Sequence, residues 1–196
     1  MQGLALGFLL QTMATELATT GGLSILSLVQ FVACLAVLII VWHEYAIGVV
    51  LFRWRLDMAD STIPFLFGIS EYAMIEAIAI PASGHDLSSF RFSIFLWSFP
   101  VFCAISCLAY WNQSSKAVID EDCRDMITVS KSNKIQALWT AVAFGVIAGI
   151  QQFFQFGQVG QVAIGCVIAV SLIGHCIRIN HAYDKGCLQT EGEPQR

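Results

Sequence analysis

The chain has 196 residues, of which 57% are hydrophobic and only 12% charged, with a formal net charge of −4. Soluble domains carry about a quarter charged residues, so a chain this poor in charge cannot clothe a water-facing surface. The small negative charge, with no basic block, argues against a nucleic-acid partner, and seven cysteines, an odd number with several inside apolar runs, argue against a secreted disulfide framework.

Residues 1–22 open on an apolar stretch with no Lys or Arg, and the first basic residue is Arg53. A secretory signal wants a basic start and a small-residue cleavage site. The segment is therefore expected to be retained. Glu16 interrupts it, which favours an interfacial helix, or one packed on the bundle, over a full crossing. A crossing would also need a very tight turn over residues 19–22.

A spanning helix takes roughly 20 mostly apolar residues. Five stretches meet that measure: residues 23–52, 62–82, 92–111, 135–154 and 161–179. In the first, His43 and Glu44 break a long apolar run. Histidine can relay protons or hold a metal; the plainer possibility is that the span ends near Trp42 and the pair lies among headgroups. Arg53, Arg55, Asp57 and Asp60 follow in a charged turn, which reads either as an interfacial anchor or as a cytoplasmic vestibule whose acids attract cations. Asp60, Ser61 and Thr62 before Pro64 suit a helix start.

The second stretch carries Glu71 near its midpoint and Glu76 further out. An ionised acid at the bilayer centre costs about 2.5–3.5 kcal/mol on insertion scales, and such residues usually face a bundle interior or a wet cavity. Five residues apart, the two acids lie roughly 140° apart around a helix and do not share a face. The third stretch has Pro100 near its middle, where a kink is expected. Residues 112–134 form a mixed-charge loop, expected to hold a short helix. The fourth stretch spaces Ala137, Ala141, Gly145 and Gly149 four apart, and the fifth offers Gly165 and Ala169. Small residues at that spacing let helices approach closely, so a tight hairpin of the last two spans is expected. Gln152, Gln155, Gln158 and Gln161 surround the intervening turn, where Gly157 and Gly160 supply flexibility. Residues 180–196 read as a polar, disordered tail.

Sorting the 10 basic residues by side, assuming five spans, leaves Arg91 alone on one face and the other nine on the opposite face. The positive-inside rule makes the richer face cytoplasmic. The N-terminus is then outside and the C-terminus inside, in a plasma membrane or bacterial inner membrane. Trp54, Trp111 and Trp139 gather near the cytoplasmic ends, as interfacial anchors do.

The expected fold is an all-α polytopic bundle of five spans, with four or six as the alternatives. Glu71, Glu76, Glu44 and His43 are the candidates for an ion or proton pathway in an oligomer. A non-catalytic membrane anchor or regulatory subunit, gripping a partner through residues 112–134 and the tail, is the competing expectation. No nucleophile, phosphate-binding or zinc motif is present, so no enzyme activity, metal or cofactor is expected. The expected partners are the lipid bilayer and either further copies of the chain or another membrane protein.

Overall fold

A computed structural model describes residues 2–51, 58–78, 85–117 and 124–190. These form six helices: α1 (Gln2–Thr20), α2 (Ile25–Leu51), α3 (Met58–Ile78), α4 (His85–Ala117), α5 (Arg124–Phe154) and α6 (Gln158–Thr190). Four of them contain stretches long and apolar enough to cross a membrane: Ile25–Tyr45, Phe90–Asn112, Ser132–Phe154 and Gln158–Arg178. The chain is thus an all-α, multi-pass membrane bundle. The described part of α3 is not among the four, because Pro64, Glu71 and Glu76 dilute its apolar run.

Helix α1 ends where Gly21 adopts a left-handed φ of 72° and its N–H closes on the Leu17 carbonyl at 3.1 Å. Only glycine takes that conformation without a steric cost. Ser24 then caps α2: its hydroxyl accepts from the Ser27 N–H at 3.0 Å. The buried carboxylate of Glu16 accepts from the Ser24 N–H at 3.4 Å, placing negative charge at the positive end of the α2 dipole. The tight turn that a sixth crossing requires is therefore present. It folds α1 back along α2 and α3, with Ala5 and Leu9 buried and Phe8 meeting Tyr72 edge-on at 5.5 Å.

The core is organised around α4. Phe92, Phe95 and Phe99 repeat at helical spacing on one buried face, and their rings contact in sequence at 6.1 and 5.1 Å. Phe99 continues to Phe144 of α5, and Phe102 to Phe67 of α3, each at 5.1 Å. Aromatic pairs of this kind add about 0.5–1.5 kcal/mol each beyond their buried area. Helix α4 runs on through Pro100, and α3 begins early enough at Met58 to carry Pro64 inside it rather than at its start.

The last two helices depart from the expected hairpin. Helix α5 packs chiefly on α4 and α6 chiefly on α2, while α5 and α6 meet mainly through side chains at one end, where Arg178 reaches Asn133. A Cβ on Gly145 would sit 3.9 Å from Pro100, an ordinary contact distance, so this position faces α4 without needing to be glycine. A Cβ on Gly165 would meet Val29 at 2.7 Å, so that glycine admits α2. Ala169 is buried in the same core, Ala141 packs at its edge, and a Cβ on Gly149 would meet nothing within 4 Å. The stripe thus works through two different neighbours.

The turn between α5 and α6 also differs in detail. Its left-handed residue is Gln155, with φ of 45°, and Gly160 lies inside α6, where its missing side chain makes room for Phe156. Residues 112–134 contain no separate helix among those described: α4 continues to Ala117 and α5 starts at Arg124. Likewise α6 continues to Thr190, into the stretch expected to be disordered.

Candidate functional site

A cavity of ≈ 510 Å³ is bounded by α2, α3, α4, α5 and α6, with Gly3 of α1 at its edge. Its floor is aromatic: Phe67, Phe99, Phe102 and Phe144. Its polar groups include Glu44, Tyr110, Asn133, Gln136, Thr140 and His175. Gly3, Tyr45, Asn112 and His175 all line it, so it lies toward the end of the bundle where α1 begins and where the spanning stretches of α2, α4 and α6 finish.

Two hydrogen-bond systems shape the polar wall. On one side the Tyr110 hydroxyl donates to the Glu44 carboxylate, joining α4 to α2. The other Glu44 oxygen, Oε1, is buried and meets no protein donor. Opposite, Arg178 Nη2 donates to Asn133 Oδ1 at 3.3 Å and lies 3.4 Å from His175 Nδ1, while Gln136 Nε2 is 3.5 Å from the same ring nitrogen. A guanidinium cannot accept, so His175 Nδ1 must supply a lone pair, which puts the ring proton on Nε2. The imidazole beside the cavity is therefore uncharged. Nearby, Lys134 Nζ sits 5.7 Å from the centre of the exposed Trp111 ring, an interfacial pairing at the same end.

Of the acids singled out in the sequence, Glu44 lines this cavity. His43, one residue earlier, is half-buried and does not line it. Glu71 is 2% exposed, beside the buried Ser70 and within electrostatic range of Cys34 on α2. It faces the bundle interior, one turn beyond Phe67 of the cavity floor. Glu76 is exposed and hydrogen-bonds Tyr72 on the outer side of α3, so the structure separates the two acids as their spacing requires. Arg53, Arg55 and Asp57 lie outside the described residues, and of Asp60 only the backbone, in the first turn of α3, is described.

Ala137 belongs to the cavity wall rather than to a helix contact with α6. The glutamines of the far turn serve local structure: Gln152 accepts from the Trp97 indole at 3.1 Å, and Gln161 donates to the Phe156 carbonyl at 3.1 Å. Gln151 has no counterpart in the sequence reading. It is 0% exposed, and neither its amide oxygen nor its amide nitrogen meets a protein partner. Among the described residues no three metal-ligating side chains converge. The sequence matches no known protein-family profile, no curated protein and no solved structure.

Proposed function

We propose that this membrane protein carries protons or small cations across the bilayer, with Glu44 at the entrance and Glu71 as the acid at mid-depth. The observation behind this is the burial of Glu71 within the bundle, away from the faces available to lipid. An acid in that position is expensive to keep and typically marks a path for protons or ions. Beyond it, toward the opposite end, further polar side chains are buried: Gln30 and Glu16 near the α1–α2 turn, and Gln151 and Gln161 near the α5–α6 turn. The aromatic floor separates the cavity from these groups, which fits a closed form of such a path. The exposed apolar faces of α5 and α6, including Val142, Val146, Val167 and Val170, suit lipid or a second copy of the chain.

The cavity end is proposed as cytoplasmic, on the nine-to-one sorting of basic residues. Because Gly3 lies at that end, α1 then crosses too, and both termini face the cytoplasm. The five-span count, which puts the N-terminus outside, gives way in this proposal to an even number of crossings.

Proton flux into liposomes carrying an internal pH dye tests the function. Wild type is expected to dissipate an imposed pH gradient, Glu71→Gln to do so at least about tenfold more slowly, and Glu76→Gln to match wild type. Equal flux from wild type and Glu71→Gln, or no flux from either, would end the proposal. A partner-binding anchor is the second possibility, favoured by the extension of α4 to Ala117, of α5 back to Arg124 and of α6 to Thr190, beyond their spanning stretches. A stoichiometric partner recovered in mild detergent, and lost when residues 179–196 are deleted, would select it.

A further inference from the structure

A proton path needs no chamber of ≈ 510 Å³. A space of that size falls within the roughly 300–1,000 Å³ of sites that enclose small organic molecules. Its lining is unevenly divided, with aromatic and aliphatic walls and one formally charged side chain, Glu44. We infer that the cavity binds an apolar organic monocation, such as a hydrophobic amine or quaternary ammonium, with Glu44 as its counter-ion.

Three features select a cation over other ligands. The buried Oε1 of Glu44 lacks a donor, so an ammonium beside it would complete the carboxylate's interactions. The Tyr110 hydroxyl already holds the other side of the carboxylate, which fixes its position. Trp42, Tyr45 and Tyr110 also line the cavity, and aromatic rings attract a cation through their quadrupoles.

The nearby positive charge does not reverse this preference. Arg178 lies within electrostatic range of Glu44, but it is engaged with Asn133 and His175 and does not line the cavity. His175 lends no charge, since its Nδ1 faces two donors. An anionic ligand would therefore meet the Glu44 carboxylate with no lining cation among the described residues to offset it. The apolar part of the ligand would rest on Phe99, Phe102 and Phe144, where removal of hydrocarbon from water supplies the affinity.

Tetraphenylphosphonium and tetraphenylborate test the assignment, because they share a shape and differ in sign. Binding is measured by equilibrium dialysis with the full chain in lipid nanodiscs, and benzyltrimethylammonium serves as a smaller cationic competitor. Wild type should bind tetraphenylphosphonium saturably, benzyltrimethylammonium should displace it, and tetraphenylborate should not compete. Glu44→Gln should weaken binding about tenfold or more, the loss of one close charge pair, whereas Glu76→Gln should not change it. Phe144→Leu provides a second variant that keeps the acid and trims the floor, and it should also weaken binding. Competition by tetraphenylborate, equal affinity in wild type and Glu44→Gln, or no saturable binding of either cation would overturn the inference. Flux and binding are separate readouts, so binding without proton flux rejects the permeation proposal alone, and flux without binding rejects this one alone.

Discussion

Gln151 of α5 carries its side-chain amide into the core with no protein partner for either its oxygen or its nitrogen. A buried polar group left unmade costs about 1–3 kcal/mol, so Gln151→Met should stabilise the fold by an amount of that order or leave it unchanged. Thermal unfolding in detergent reads this directly; a clear fall in midpoint would mean the amide holds something essential. Glu71 and Gln151 also show what single residues disclose in sequence. An acid within an apolar run is conspicuous whatever surrounds it, so Glu71 can be singled out before any fold is known. A glutamine three residues from a polar turn looks like part of that turn, and only its packing distinguishes it. The cavity was hidden for a related reason. Glu44, Tyr110, Gln136 and His175 stand on four different helices, and nothing in their local sequence ties them together. Glu76 carries the opposite lesson: helical spacing sets it on a different face from Glu71, but only the fold shows it exposed beside Tyr72.

At the scale of helices, the small-residue stripe separates into positions that bear load and positions that do not. A Cβ at Gly165 would overlap the Val29 side chain, whose branched carbon is stiff within a helix. Gly165→Ala should therefore cost about 1–3 kcal/mol, the usual penalty of overpacking. Gly149→Ala meets no neighbour and should be neutral or slightly stabilising, because alanine is the better helix former. Comparing the two unfolding midpoints checks the pair; equal shifts would place α6 differently against α2. The periodicity of small residues announces that a helix will be approached closely, yet it does not name the neighbour. Adjacent helices in sequence are the natural guess, and α5 with α6 was the expected pair. Here Pro100 and Val29 face the small residues instead, and α5 and α6 both contribute to the cavity wall. Gly21 is the other position where backbone alone decides. Gly21→Ala should cost about 1 kcal/mol by straining the left-handed cap that turns α1 into α2.

For the molecule as a whole, composition alone establishes a membrane protein, because 12% charged residues cannot surface a soluble fold of this length. The number of crossings is less legible. It turns on α1 and α3, which among the described residues hold no stretch long and apolar enough to cross a membrane, their apolar runs being broken by Glu16, Glu71 and Glu76. The hairpin at Gly21 brings the start of α1 to the cavity end, and the proposed arrangement, with both termini on the side rich in Lys and Arg, rests on that turn. Reporter fusions to the full chain in a bacterial host measure this most directly. Green fluorescent protein joined ahead of the first residue, or after the last, should fluoresce in both cases, and alkaline phosphatase inserted at residues 155–157 should be active outside. A dark N-terminal fusion with a bright C-terminal one would show the two termini on opposite faces and contradict the account.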